Sequence, residues 1–308
     1  MKYFPKKLTM TWIRNSYKEG SLTPEELAGE IVRRAEKYRD YNIWIVAPDL
    51  KRMMDYIEKL PKDMESLPLW GIPFAVKDNI DVAGSPTTAA CPDYAYDPKE
   101  DAAVVKKLIG AGAFPVGKTN LDQFATGLVG TRSPYGEVKN ALDPELISGG
   151  SSSGSAVSVA LGMAAFSLGT DTAGSGRVPA ALNCLVGYKP SLGAWSTKGV
   201  VPACASLDCV TVFANSLEDA EEVNLAARGV DEECCWSREY KEPLPKLPKK
   251  ICLAKDGVTF YGPYADIYKA KWEQAKKRIE DMGITVEYID YTMFSKAASI
   301  LYDGPWVA

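Results

Sequence analysis

Two loops rich in glycine and serine, separated by an apolar segment, constrain this chain more than any other feature. The loops cover residues 148–155 and 169–179, and residues 156–168 between them are almost entirely apolar. Because this segment is apolar on nearly every side, we expect a buried element there, a helix through the core. Glycine lets a loop approach a ligand closely or take positive φ. Converging backbone N–H groups in such loops bind an anion or an oxyanion, so the pattern predicts a functional site here.

The composition excludes several classes of function. The net charge is −4, and no basic patch or arginine-rich arm is present, so we expect no nucleic-acid partner. No apolar run reaches membrane-spanning length without a polar or glycine interruption, so we expect no membrane partner. The seven cysteines are odd in number and lack CxxC spacing. This usage is typical of reduced thiols and predicts a cytoplasmic protein.

The chain contains no histidine. A Ser-His-Asp triad and a Cys-His pair are therefore impossible within it, and a catalytic zinc site is disfavoured, so we expect neither a metal nor a cofactor. A nucleophilic serine would need another proton acceptor, and lysine is the main candidate because a buried lysine can lose its charge near neutral pH. Lys77 directly follows an apolar segment, 69–76, that we predict to be a buried strand. Sites collect at strand ends in α/β proteins, although a lysine that extends to the surface is the alternative.

The remaining pattern is that of an α/β protein. Residues 1–60 are predicted to be mainly helical, with a capping box at Thr23 and Glu26. Further helices are predicted over 101–112, 120–125, 156–168, 216–228 and 265–282. Strands or strand-like pieces are predicted over 43–46, 114–116, 183–191, 199–209, 251–254 and 284–289, and residues 241–250 are predicted to be a linker or surface arm. The strand–helix–strand order at the end implies a parallel crossover.

Residues 112–119 match the nucleotide-binding pattern GxxxxGK[ST]. That loop normally follows a strand and opens a helix, whereas here a helix comes first and residues 114–116 are themselves strand-like. We therefore reject a nucleotide site, and an ATPase that binds Mg-ATP is kept only as an alternative.

Taken without any family, these residues favour a lysine base, a relay serine and a nucleophilic serine, Ser175. The two loops also resemble the amidase signature family, whose pattern is GGSSGGS followed by GTDxGGSxRxPA. This chain has GGSSSGS at 149–155 and GTDTAGSGRVPA at 169–180, so that Ser153 and Ala173 replace two glycines. Residues 72–79, 117–120 and 187–191 fit the family as well, and the resemblance is dense over 65–215.

This resemblance implies the fold and its extent. The expected fold is an α/β amidase signature fold, a central mixed twisted β-sheet covered by α-helices on both faces. Residues 1–60 would be an N-terminal helical segment of the same domain, and residues 61–308 the amidase core. Because the chain stops without a closing element, we expect this core to be truncated at its C-terminal end.

The resemblance also implies a triad: Ser175 as the nucleophile, Ser151 as a relay after a cis peptide bond, and Lys77 as the base. Lys77 must be neutral, so its pKa should lie well below about 10.4. Asp171 and Arg177 are expected to brace the loop. The oxyanion hole would be formed by the backbone N–H groups of Thr172, Ala173, Gly174 and Ser175 itself.

Residues 120–130 and 301–308 resemble the allophanate hydrolase branch. In that branch a tyrosine and a later arginine hold the carboxylate of the substrate; Tyr302 matches the tyrosine, and the arginine would fall beyond Ala308. An ordinary core aromatic is the alternative for Tyr302. Gly127 is expected to offer its carbonyl to the substrate amide. The implied reaction is hydrolysis of allophanate (urea-1-carboxylate) to ammonia and carbon dioxide, with a urea carboxylase domain or protein as a partner and a homodimer as the assembly.

Other functions remain open at this point. Within the amidases, the chain could be a general small-amide amidase or an amidotransferase A-type subunit that acts on misacylated tRNA, although the acidic pI and the last residues disfavour the latter. Outside enzymes, it could be an inactive truncated scaffold protein. A serine-directed fluorophosphonate separates these classes, because it labels only an activated serine.

Overall fold

The computed structural model describes residues 2–241 and 246–303, the last three by their backbone only. The chain divides into two compact units, at residues 1–240 and 241–308. Residues 1–60 belong to the unit that contains the main sheet. The second unit begins at the segment 241–250 that was predicted to be a linker or surface arm, although no separate unit was predicted after it.

The N-terminal segment is helical, as predicted. Its helices are α1 (Met10–Lys18), α2 (Pro24–Lys37) and α3 (Leu50–Ile57). The predicted capping box is present, since Thr23 accepts a hydrogen bond from the Glu26 N–H and the Glu26 side chain accepts one from the Thr23 N–H. Leu27, Ile31 and Ala35 form the buried face of α2. These local signals therefore sufficed to place the helices.

A six-stranded mixed sheet forms the centre of the first unit. Its strands are β1 (Trp44–Val46), β2 (Pro73–Lys77), β3 (Phe114–Thr119), β4 (Phe166–Asp171), β5 (Val186–Tyr188) and β6 (Cys209–Ala214), in the order β1-β3-β2-β4-β6-β5. Strand β2 runs parallel to β3 and β4, and the other pairs are antiparallel. Every residue of β2, β4 and β6 is buried, so both faces of the central strands are covered.

Four more helices belong to this unit: α4 (Ala103–Gly110), α5 (Ser153–Ala160), α6 (Arg177–Leu182) and α7 (Leu217–Ala227). Helix α5 is wholly buried and contacts β2, β3, β4 and β6. The predicted buried helix over 156–168 is thus correct only in its first part. The chain turns at Gly162, where φ is +70° and a Cβ would meet Arg34, and the apolar residues that follow enter β4.

Two predictions of secondary structure were wrong. Residues 120–125 form no α-helix: a short 3₁₀ turn covers Gln123–Ala125, and Phe124 has a φ of +52°. Polar side chains compete with helical hydrogen bonding here, since Asn120 Oδ1 accepts the N–H of Leu121. A strand was also predicted over 199–209, but residues 201–208 form an irregular segment. Strand β6 begins only at Cys209, the last residue of the predicted range.

In the second unit, β7 (Lys250–Ala254) and β8 (Thr285–Ile289) are parallel and are connected by α8 (Ala265–Asp281). This confirms the predicted crossover. The two strands form a sheet of their own, and α9 (Thr292–Asp303) follows.

Candidate active site

Lys77 ends β2 with its side chain fully buried. Its Nζ lies 2.8 Å from Ser151 Oγ and 2.6 Å from Thr170 Oγ1. Burial lowers the pKa of Lys77 from 10.5 to about 7. Three carboxylates oppose this shift, those of Asp122, Asp208 and Asp171. A lysine with such a pKa is substantially neutral near pH 7 and is matched to the task of a general base.

Ser151 lies in the loop that leads into α5, two residues before the helix begins. The peptide bond between Gly150 and Ser151 is cis, as the resemblance implied. The Ser151 side chain is fully buried, and its carbonyl accepts the N–H of Asp122 at 3.0 Å. The backbone of Ser151 and its contact with Lys77 are therefore both held in place.

Ser175 lies between β4 and α6, close to the surface with 6 % of its area exposed. Its carbonyl accepts the N–H of Ser152 at 3.3 Å, which ties the two serine loops together. Its hydroxyl donates to the carbonyl of Gly127 at 3.3 Å. The Ser175 hydroxyl therefore faces Gly127 in this structure.

Asp171 braces the loop that carries Ser175. Its buried carboxylate accepts the N–H groups of Gly174 and Gly176 at 2.7 and 3.1 Å. It also accepts two hydrogen bonds from the Arg177 guanidinium, each 2.9 Å long. Although burial raises the pKa of Asp171, these donors hold it below its ordinary value. The expected bracing role of Asp171 and Arg177 agrees with this geometry.

The same contacts correct one part of the predicted oxyanion hole. The N–H of Gly174 already donates to Asp171, so it is not available to an oxyanion. No such bond occupies the N–H groups of Thr172, Ala173 or Ser175 in the described part of the chain. These three stay predicted donors. The sequence motif could not distinguish Gly174 from the other three residues, because it does not show which backbone N–H groups donate to the carboxylate of Asp171.

Thr170 was missed by the sequence analysis, although it accepts a hydrogen bond from Lys77. Its own backbone is fixed by Ser152, whose Oγ accepts the Thr170 N–H at 3.2 Å and donates to the Thr170 carbonyl at 3.1 Å. Thr170 is 2 % exposed. The sequence did contain one signal for Thr170: it is a threonine next to an aspartate in a strand that otherwise belongs to the core.

Asp122 was also missed, because residues 120–125 were predicted to be a plain helix. Its side chain is fully buried, and it is the carboxylate with the largest influence on Lys77. Because Asp122 influences the pKa of Lys77, it belongs to the candidate site.

Lys118, the lysine of the nucleotide-loop match, lies inside β3 and is buried. Its Nζ is 3.2 Å from Asp78 Oδ1 and 3.0 Å from Thr87 Oγ1. Burial lowers its pKa, and Asp78 opposes that effect. An amine with these partners is not free to bind phosphate, which agrees with the rejection of a nucleotide site.

The structure describes the predicted contact atom of only one of the two predicted substrate-binding residues. The carbonyl of Gly127 lies beside Ser175, as described above. The side chain of Tyr302 lies outside the described residues, so its role remains a prediction.

The described part of the chain contains no group of three or more histidine, cysteine, aspartate or glutamate side chains that could hold a metal ion. Nor does any helix within residues 2–241 and 246–303 have the length and apolar character needed to span a membrane. All seven cysteines are free thiols.

Known proteins resemble this chain over most of its length. Urea amidolyase of Saccharomyces cerevisiae is 48 % identical over 272 residues, which cover 87 % of this chain but only 15 % of that protein. The A-type subunit of the glutamyl-tRNA(Gln) amidotransferase of Methanosarcina mazei is 35 % identical over 303 residues, 96 % of this chain and 62 % of that protein. The solved structure of Kluyveromyces lactis allophanate hydrolase superposes with a TM-score of 0.88 at 42 % identity, covering 99 % of this chain and 51 % of that one.

The chain therefore spans about a seventh of the yeast urea amidolyase and half of the yeast allophanate hydrolase. The fold match confirms the predicted α/β architecture with a central mixed sheet. The family model for amidases matches residues 26–308, nearly the whole chain. On these grounds the chain belongs to the amidase family.

Proposed function

We propose that this chain hydrolyses allophanate to ammonia and carbon dioxide through an acyl-enzyme on Ser175. One observation carries the chemistry: a fully buried lysine, with a pKa of about 7, lies 2.8 Å from a serine hydroxyl in a protein without histidine. The substrate is supported by the resemblance of residues 120–130 to the allophanate hydrolase branch and by the relatives, which are named urea amidolyase and allophanate hydrolase.

In the proposed first step, Ser175 Oγ bonds to the terminal amide carbon of allophanate. The proton of Ser175 passes to Ser151, and the Ser151 proton passes to Lys77. The negative charge that develops on the carbonyl oxygen is stabilised by the amides of Thr172, Ala173 and Ser175; removing one such donor costs about 3–4 kcal/mol in other enzymes. The C–N bond then breaks, and the amine leaves as ammonia with a proton returned along the same route.

In the second step, water attacks the acyl carbon and gives its proton to the same relay, which restores Ser175. The released product carries two carboxylate groups on one nitrogen and decays with loss of carbon dioxide. Lys77 is thus base and acid in turn, and a pKa of about 7 suits both roles.

Several finer features belong to the same proposal. Tyr302 would contact the carboxylate of allophanate, and the Gly127 carbonyl would accept from its amide. A urea carboxylase domain or protein would supply the substrate, which is supported by the small share of the urea amidolyase that this chain covers. We propose a homodimer and a cytoplasmic location, the latter supported by seven free thiols. Residues 1–60 would be part of the amidase domain.

An amidotransferase subunit is a second candidate, since one such protein covers 96 % of this chain. Its identity is 35 %, against 48 % for the urea amidolyase. The higher identity and the allophanate-type residues 120–130 favour allophanate.

The decisive experiment measures ammonia release from allophanate and from a panel of simple amides. We expect allophanate to be preferred, and we expect Ser175→Ala to abolish release while Ser191→Ala, at an exposed serine outside the site, leaves it unchanged. A preference for simple amides would refute the substrate assignment. Normal turnover by Ser175→Ala would refute the acyl-enzyme, and failure of the wild-type protein to react with a fluorophosphonate would favour the inactive scaffold.

A further inference from the structure

Asp122 is a buried carboxylate with no part in the steps above. It lies in the loop after β3, and its side chain has no exposed area. Its own N–H donates to the carbonyl of Ser151 at 3.0 Å. Asp122 is thus bonded directly to the serine that contacts Lys77.

The carboxylate of Asp122 also organises the loop that follows. Its Oδ2 accepts the N–H groups of Val129 and Gly130 at 3.3 and 3.1 Å, and its Oδ1 accepts that of Arg132 at 2.9 Å. These three hydrogen bonds to one carboxylate hold residues 127–132 folded back over Asp122. The carbonyl that faces Ser175, that of Gly127, begins this loop.

Two glycines lie against Asp122 with no room for a side chain. A Cβ on Gly150 would lie 2.1 Å from Asp122 Oδ2, and one on Gly127 would lie 2.6 Å from it. Gly150 precedes Ser151, and Gly127 accepts from Ser175. The carboxylate therefore fills the space between the backbone segments that carry the relay serine and the partner of the nucleophile.

Asp122 also acts on Lys77 by charge. Burial lowers the pKa of Lys77, and among the carboxylates that counteract burial Asp122 has the largest effect, followed by Asp208 and Asp171. A negative charge close to an amine favours its protonated form.

We propose that Asp122 is a positioning residue: its backbone holds Ser151, and its carboxylate holds the Gly127 loop. This role rests on the proposed function, because it requires Lys77 to be the base for Ser175. It adds a residue that tunes the base without touching the substrate.

A change of charge at Asp122 then has a defined sign. In Asp122→Asn the shape is nearly kept, but the charge that favours protonated Lys77 is lost, and the NH2 group cannot accept the N–H bonds that one carboxylate oxygen receives. Asp208 and Asp171 remain. Lys77 should therefore lose its proton at lower pH, and the rise of activity with pH should shift toward acid by about one pH unit, the lower end of what a nearby opposite charge produces.

The test measures the rate of fluorophosphonate labelling between pH 5 and 9. Labelling forms a bond between Ser175 Oγ and phosphorus and releases fluoride, so it needs the activated serine but no allophanate. We expect the wild-type rate to rise with a midpoint near pH 7 and that of Asp122→Asn to rise at lower pH. The matched control is Asp219→Asn, which removes a carboxylate that is also buried but bonds to the N-terminus of α1, and its midpoint should equal that of the wild type.

An unchanged midpoint in a folded Asp122→Asn protein would overturn the role of its charge. A wild-type protein that does not label would instead refute the proposed function, so the two failures are distinguishable. Asp122→Glu keeps the charge but adds a methylene where Gly150 and Gly127 leave no space. We expect it to keep the midpoint and to lower the maximal labelling rate by 10-fold or more; an unchanged maximal rate would overturn the positioning role, whether or not the asparagine variant folds.

Discussion

The Nζ of Lys77 lies 2.8 Å from the Oγ of Ser151, and neither side chain is exposed to solvent. A neutral amine has two N–H groups and one lone pair. Because one N–H of Lys77 can donate to Thr170 at 2.6 Å, the rotation of the amine is restricted and its lone pair can face Ser151. Burial thus lowers the pKa of Lys77, and the hydrogen bond to Thr170 orients its amine.

Replacement of Lys77 by methionine should have opposite effects on activity and stability. Serine labelling should fall to background, because no base remains. Stability should improve at neutral pH, because the folded protein holds Lys77 with a pKa of about 7 while the unfolded chain has about 10.4. This depressed pKa costs roughly 4 kcal/mol at pH 7, and the cost declines as pH rises toward 10 because the unfolded chain then loses its extra proton too.

The measurement is urea unfolding of wild type and Lys77→Met at several pH values. The advantage of the variant should shrink by about 2 kcal/mol between pH 7 and 9. Lys107→Met, at a half-buried lysine outside the site that donates to the carbonyls of Ala227 and Arg228, is the control for loss of a lysine. A constant difference across this pH range would mean that Lys77 is charged in the folded protein.

Thr170→Val should reduce the maximal rate of Ser175 labelling by about 10- to 100-fold, since valine has the shape of threonine but cannot accept the hydrogen bond from Lys77. Thr170→Ser keeps a hydroxyl and should recover most of that loss. Labelling rates at saturating pH for the three proteins test this, with circular dichroism to show that each is folded. Equal rates in the valine variant would exclude Thr170 from orienting the base.

The elements that sequence reasoning placed well are those with a local cause. The capping box of Thr23 and the Ser216 side chain, which accepts from Asp219, begin helices where the pattern predicted. The break within 156–168 was not predictable in this way. The segment is apolar throughout, so periodicity could not separate helix α5 from strand β4, and the turn depends on the close approach of Arg34 to Gly162.

The candidate site shows the same division. Lys77, Ser151 and Ser175 could be named as candidates because their motifs are long. The sequence did not show that the Gly174 N–H donates to Asp171. Nor did it show that Asp122 accepts backbone N–H groups of the loop that follows it. Both hydrogen bonds are set by the three-dimensional structure. Motif spacing carries no information about such partners.

Arg177→Met should impair activity more than stability. The Arg177 side chain is 55 % exposed, but it supplies two 2.9 Å bonds to the buried carboxylate of Asp171, which holds the loop of Ser175. We expect labelling to slow by about 10-fold or more, with a loss in unfolding free energy on the order of 1 kcal/mol. Arg177→Lys should restore activity only in part, because lysine lacks the planar two-pronged donor. Full activity in the lysine variant would show that charge alone suffices.

Lys118 and Asp78, the residue that follows Lys77, form a buried ion pair at 3.2 Å, and both side chains are at most 1 % exposed. Lys118→Met should destabilise the protein by about 3–5 kcal/mol, because it leaves Asp78 buried without its cation. The double variant Lys118→Met, Asp78→Asn should cost less than the sum of the single changes, since it leaves no uncompensated charge. Urea unfolding of all four proteins gives the coupling energy. If the two single losses simply added, the pair would contribute no mutual stabilisation, and the proximity of Lys118 to Asp78 would have no energetic role in holding the end of β2.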